Sequence, residues 1–286
     1  MTLPNTTLDA RQRTEYQARG YHFPLRAFPP EEAAALSQRF LAHWQQHSEL
    51  LKPLLPRERV AFSLENHLFL PWVYEIVANT RVLDAVESVL GPNVMVWSSQ
   101  WFPKFPHDKA FVSWHQDATY WGLTPPNVAT AWIALTESTL ANGCMRVIPG
   151  THQGALLPQR ETYAQTNMLS RGQEIAVTVD ESQAVPLELR PGEFSLHHVG
   201  IVHGSGPNDS NAPRIGIAVR YISPDVVQQG RERDLVLLVR GRDHYGHFDI
   251  VKAPEREIAY GESAVQVESL ARKRRNLLPD KGRVKL

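Results

Sequence analysis

The segment Trp114-His115-Gln116-Asp117-Ala118-Thr119-Tyr120-Trp121 sets an imidazole and a carboxylate two residues apart. In extended backbone such residues share a face, so His115 and Asp117 can offer a nitrogen and an oxygen to one ion. A His-x-Asp pair is only half a metal site and needs a third ligand from elsewhere. The segment from Phe194 to Asn208 holds three histidines, His197, His198 and His203. His203 ends an apolar stretch and enters a Gly-Ser-Gly-Pro-Asn turn, where a rigid sheet can present a ligand at a cavity mouth. It is the preferred third ligand. His197 and His198 are adjacent and face opposite ways in a strand, so at most one meets the cavity; His198 is carried forward as a candidate substrate contact. Two histidines and one carboxylate form the facial triad of non-haem iron(II) oxygenases, which leaves positions open for a cosubstrate and dioxygen. If a 2-oxo acid chelates that iron, its far carboxylate needs a cation. Arg214, eleven residues past His203, begins the next strand and can grip a carboxylate in bidentate fashion. Its bland alternative is a surface ion pair.

These residues need a scaffold. From Pro30, apolar residues Leu36, Phe40, Leu41 and Trp44 recur at helical spacing. A second helix runs from a Thr80 cap through Val82, Leu83, Val86, Val89 and Leu90 to a Gly91-Pro92 stop, with a shorter one over Leu70 to Ala78 before it. After Pro92 the texture changes to short stretches rich in Val, Ile, Trp and Phe: Val94 to Phe102, Val128 to Leu135, Met145 to Ile148, Phe194 to His198, and Arg214 to Ile222. Regular helices do not separate these strands, which predicts a jelly roll flanked by helices over a doubly wound parallel sheet. The expected fold is mostly β with flanking helices. One domain is expected over 1–286: a mainly helical part over 1–92, the jelly-roll core with the metal site over 93–224, and a lid and tail over 225–286.

Thirty basic and thirty acidic side chains cancel, so no global field attracts nucleic acid or an anionic membrane surface. The single Cys144 cannot form an intrachain disulfide, the polar start from Met1 to Gln12 lacks a signal pattern, and no apolar run has the length of a membrane span. A cytoplasmic protein acting on a small molecule is expected, with homo-oligomer formation left open. The basic tail from Arg272 to Leu286 reads as a solvated helix end.

Taken in order, Trp114-His115-Gln116-Asp117, then Ala141-Asn142-Gly143-Cys144-Met145-Arg146-Val147-Ile148-Pro149-Gly150-Thr151-His152, then His203-Gly-Ser-Gly-Pro-Asn208, then Arg214 resemble the phytanoyl-CoA dioxygenase family of iron(II) and 2-oxoglutarate-dependent oxygenases. The resemblance spans Tyr21 to about Val267. It implies a double-stranded β-helix, the cupin-like jelly roll, with Fe(II) as cofactor and 2-oxoglutarate and O2 as cosubstrates. By this resemblance His115, Asp117 and His203 match the iron ligands, and Arg214 matches the partner of the 2-oxoglutarate C5 carboxylate. Trp132 and Ser205 are similar to secondary cosubstrate contacts, and Lys104 falls where some members place a polar contact, with an edge-strand lysine as its alternative. Gln116, Tyr120, Trp121 and Arg240 are candidate substrate contacts, and His152 is expected to be structural. Related halogenases carry a small residue in place of the carboxylate, so Asp117 implies hydroxylation with release of succinate and CO2. The stretch from Leu237 to Phe248 is a candidate lid. A zinc hydrolase with the same three ligands, or a non-catalytic metal-binding jelly roll, stays as an alternative.

Overall fold

The computed structural model describes residues 3–55 and 58–277. Strands β1 (Tyr21–Arg26), β2 (Val94–Trp101), β3 (Val112–His115), β4 (Leu123–Thr124), β5 (Val128–Ala134), β6 (Met145–Ile148), β7 (Gln159–Glu161) and β8 (Gln173–Ile175) come first. They are followed by β9 (Val185–Pro186), β10 (Glu193–His198), β11 (Val202–Ser205), β12 (Gly216–Ile222), β13 (Val227–Gln228), β14 (Leu235–Arg240) and β15 (Asp249–Ile250). A large sheet runs β1-β10-β5-β12-β2-β14-β15, and a small one runs β3-β11-β6-β9. Neighbours are antiparallel throughout except β14 beside β15. The two antiparallel sheets, with partners drawn from distant parts of the sequence and helices on the flank, make up the double-stranded β-helix.

Strand alternation divides the large sheet into two unlike faces. On the outer face, Ile217, Val219 and Tyr221 of β12, Ala131 and Ile133 of β5, and Phe194 and Leu196 of β10 join one apolar core. That core is completed by helices Pro30–Gln46, Pro71–Val77 and Thr80–Leu90. Val82, Leu83 and Val86 line one side of the last helix because their spacing builds a single apolar stripe. Burying an aliphatic side chain of this size is worth about 1.5–3 kcal/mol. The Tyr221 hydroxyl donates to the Val77 carbonyl at 2.8 Å, fixing helix to sheet.

Several boundaries differ from the expectations. The 80–90 helix is capped by Asn79, not Thr80: its side-chain oxygen accepts from the amides of Arg81 (3.0 Å) and Val82 (3.3 Å). Arg214 precedes β12 and pairs only through an isolated bridge to Lys104. The large sheet also takes in β1, from before residue 93, and β14 and β15, from after residue 224. The first part of the candidate lid is therefore strand β14, where Leu237 is buried in the core. The helix Ala264–Leu277 is not a solvated end either. Lys273 is buried against Glu65, Nζ to carboxylate 3.3 Å, while Lys281, Arg283 and Lys285 of the basic tail lie outside the described residues. Among the described residues no helix is long and apolar enough to cross a membrane.

Candidate metal and cosubstrate site

Register brings the two histidine ligands together. His115 ends β3 and His203 lies in β11, where they are direct antiparallel partners with ring centroids 4.1 Å apart. Asp117 arrives by a different route from the one expected. Its backbone is helical (φ −58°, ψ −39°) and opens the short helix Ala118–Trp121, so a turn, not strand alternation, returns the carboxylate to the imidazoles. His115 Nε2 lies 3.3 Å from Asp117 Oδ1, and His203 Nε2 lies 4.0 Å from Oδ2. One ligand atom from each residue falls within 4.8 Å of the others.

The protonation pattern suits a cation. His115 Nδ1 is 2.8 Å from the Ser113 carbonyl and His203 Nδ1 is 3.1 Å from the Ile201 carbonyl. A carbonyl only accepts, so each Nδ1 carries the proton and each Nε2 presents a lone pair to the other two ligands. Burial, then the neighbouring His115, lowers the His203 pKa to about 4, which keeps the ring neutral. Burial alone would raise the Asp117 pKa. The imidazoles of His115 and His203, which take up any proton at the site in place of the carboxyl, and the charge of Arg220 override it and hold the carboxyl well below the usual range. Two imidazoles and one carboxylate fit a divalent metal with open positions. Gln116 points away from them. Its amide nitrogen donates to the Gly200 carbonyl (2.7 Å) and its oxygen accepts from the Leu157 amide (2.8 Å), tying the ligand turn to two neighbouring loops.

The triad faces a cavity between the two sheets, with Arg214 in its wall. Arg214 is buried and donates from Nη2 to the Phe102 carbonyl (3.0 Å) and from Nη1 to that of Gly143. Its guanidinium lies 5.2 Å from the centre of the Trp132 ring, and Nε has no partner. Two glycines make this possible. At Gly216 a Cβ would come within 2.4 Å of the Trp132 ring; at Gly143 (φ +75°) it would come within 2.3 Å of the Gly206 carbonyl. The Asn208 amide bonds the carbonyls of Lys104 (3.0 Å) and Ala212 (2.9 Å), turning the chain back from His203 to Arg214. Lys104 is buried as well, donating to Ser205 Oγ at 2.6 Å and to the Gly206 carbonyl. Burial, then the charge of Arg214, drives the Lys104 pKa well down; burial lowers that of Arg214 only to about 10, so the guanidinium stays charged. Among the described residues no carboxylate hydrogen-bonds to either group, and an uncompensated buried cation is costly. Ser205 and Trp132 line the same wall. Such a wall can accept a carboxylate.

The remaining candidates divide. Tyr120 lies under Arg171, and Trp121 packs on Trp97 (5.1 Å between rings) and under Arg220; neither lines the cavity. His198 faces the other way, accepting from the Gly200 amide and packing against His152, and the cavity-lining member of that pair is His197. Phe194 and Leu196 face the helices, so alternation sends His197 inward and His198 outward. The structure does not bring Arg240 to the cavity: it is ion-paired with Asp84 (2.8 Å) and Glu87 (2.6 Å). His152 is structural, bonded to the Gln17 carbonyl. Thr130 and Arg220, which line the cavity, escaped the sequence reading. Their signal was the period of two, counted back from Trp132 and forward from Arg214.

Comparison with known proteins agrees with this geometry. A family model described as phytanoyl-CoA dioxygenase (PhyH) matches residues 16–216. A probable alpha-ketoglutarate-dependent hypophosphite dioxygenase of Stutzerimonas stutzeri is 28% identical over 228 residues, covering 76% of this chain and 79% of its own. Among solved structures, the apo form of the non-heme monooxygenase ThoJ aligns with a TM-score of 0.80 at 33% identity, over 93% of this chain and 97% of its own. CytC3 with Fe(II) and alpha-ketoglutarate aligns at 0.64 and 26% identity, over 89% and 96%.

Proposed function

Because the chain belongs to the phytanoyl-CoA dioxygenase family, whose members are iron(II)- and 2-oxoglutarate-dependent oxygenases, we propose that it hydroxylates an unactivated C–H bond of a small, polar metabolite or natural-product intermediate, releasing succinate and CO2. The observation that carries this reading is the intact Asp117 beside both histidines, in one cavity with the charged Arg214. A zinc hydrolase has no use for a buried guanidinium reserved for a carboxylate, and a module that had lost turnover would carry a damaged ligand or anchor.

His115, Asp117 and His203 would hold the iron, with both imidazoles oriented by their carbonyl partners. Iron(II) bound there supplies dioxygen activation coupled to decarboxylation of the 2-oxo acid. Arg214 takes the far carboxylate of 2-oxoglutarate, and Trp132 confines the guanidinium. Ser205 offers a hydroxyl to the same group, held in place by Lys104. Asp117 would take the place on the iron that a halide needs in the related halogenases, which favours hydroxylation. The hypophosphite dioxygenase relative is named for a small anion, which supports a small polar substrate.

The test is anaerobic optical titration of the metal-free protein with iron(II) and 2-oxoglutarate, with zinc as control. A weak visible charge-transfer band, lost in Arg214→Ala, is the expected result and opens a substrate screen by succinate release. Tight zinc binding with no band on iron addition would sink the oxygenase reading.

A further inference from the structure

Three side chains that the function above does not use lie in a row across the inner face of the large sheet. Thr130 of β5 is the register partner of His197 on β10 and of Arg220 on β12. All three line the metal cavity and are more than nine-tenths buried. Each carries a polar atom with no partner: Thr130 Oγ1, His197 Nδ1 and Arg220 Nε. Native interiors rarely leave one such atom unpaired, and three in register set the same unmet demand side by side on one wall.

Charge states what would meet that demand. The charge of Asp117 and the two of 2-oxoglutarate are matched by iron(II) and Arg214; with Lys104 spent on Ser205 and the Gly206 carbonyl and pushed by burial toward its neutral form, Arg220 is left over. Its side chain donates to a neutral acceptor, Gln100 Oε1 at 3.2 Å. Glu65, the other acidic group whose charge reaches it, is committed to Lys273 (3.3 Å) and to the Ser98 hydroxyl (2.5 Å). Arg214 and Arg220 are six residues apart, about 20 Å of extended backbone, and both line the one cavity, so two anionic groups can be met in it.

We propose that Arg220, Thr130 and His197 form an oxyanion subsite beside the metal, which receives a carboxylate- or phosphate-type group of the primary substrate. The proposal rests on the oxygenase reading and narrows it: the substrate is an acid, oxidised close to its own anionic group. Arg220 supplies the charge, the Thr130 hydroxyl and an imidazole N–H of His197 supply direction, and amides or esters of the same skeleton are excluded because they leave Arg220 unanswered.

The experiment uses the protein loaded anaerobically with iron(II) and saturated with 2-oxoglutarate. Acetate and inorganic phosphate are titrated by calorimetry, with acetamide as the neutral control. Wild type is expected to bind an anion and not acetamide. Arg220→Gln should weaken the anion by about thirtyfold or more while keeping the charge-transfer band and its 2-oxoglutarate affinity, and Arg220→Lys should recover part of the loss. Thr130→Val should weaken the anion by about tenfold with no fall in melting temperature, since the hydroxyl it removes has no partner inside the protein; a structural threonine would lose stability instead. If Arg220→Gln weakens 2-oxoglutarate itself, the row serves the C1 carboxylate of the cosubstrate and the substrate assignment is overturned. Equal anion binding by wild type and Arg220→Gln, no anion binding by either, or acetamide binding as well as acetate, overturns the subsite altogether. Absence of the band in wild type is a separate failure, that of the oxygenase reading.

Discussion

Along β12 and its approach, two sets of residues share one backbone and live in opposite environments. Ile217, Val219 and Tyr221 face the helices in a closed apolar core; Arg214, Gly216, Ala218 and Arg220 face the cavity. The outer set is saturated, and even the Tyr221 hydroxyl has its acceptor. The inner set keeps open valences, with Nε of both arginines unpartnered. Stability is concentrated on one face so that the other can hold polar groups in readiness for ligands, which is how a sheet supports a site that would be unfavourable standing alone.

The sharpest break in this contrast comes from the inner face. Asp117→Ala or His203→Ala should abolish iron binding and bring turnover to the detection limit while circular dichroism stays that of the wild type; full activity in either variant would refute the triad. Next, Arg214→Ala should raise the 2-oxoglutarate concentration needed for half-maximal succinate release by about thirtyfold or more, with the metal affinity kept. Leu83→Ala, on the outer side, should do the reverse. It should cost about 2–5 kcal/mol in denaturant unfolding and leave the 2-oxoglutarate affinity of the folded protein unchanged.

Acid probes the polar groups buried on the helical side. Burial is the leading cause that lowers the pKa of His43 and of His67 from 6.5 to about 4. Between those values the unfolded chain takes up protons that the folded chain refuses, so stability should fall as pH drops from about 6.5 toward 4, by at most about 3 kcal/mol for one such histidine. Unfolding curves across that range should flatten in His67→Gln, and an unchanged slope would remove His67 from the account. The smallest effect belongs to Arg240→Ala. Loss of its partly exposed ion pairs with Asp84 and Glu87 should cost under about 1 kcal/mol and leave succinate release unaltered; a raised substrate requirement would return Arg240 to the site.

The same contrast explains what could be read from the sequence. That His115, Asp117 and His203 cluster, in one cavity with Arg214, was legible because their residue types and their neighbours, a Gly-Ser-Gly-Pro-Asn turn above all, mark them locally. Met145–Ile148 was legible as a strand because four residues carry the whole pattern. Strands β1 and β14 were not, since what makes Leu237 a core residue is a partner strand more than a hundred residues earlier. Choosing His197 over His198 required knowing which face of β10 meets the helices. Arg220 looks like any strand arginine until its row is assembled from three separate segments. Lys273 likewise looks solvated until Glu65 appears opposite it.

Arg214 is held by the main-chain oxygens of Phe102 and Gly143, groups that every residue type carries. No exchange of a neighbouring side chain deletes such an acceptor, so beyond position 214 the orientation of the guanidinium is open to mutation chiefly at Trp132, on which it lies, at Asn208, which turns the chain, and at the two glycines, 143 and 216, that permit the close approach. The Thr130, His197 and Arg220 row has no such insulation, since each of its donors is a side chain. On the roles proposed above, sequence drift can exchange primary substrates more readily than it loosens the hold on the cosubstrate.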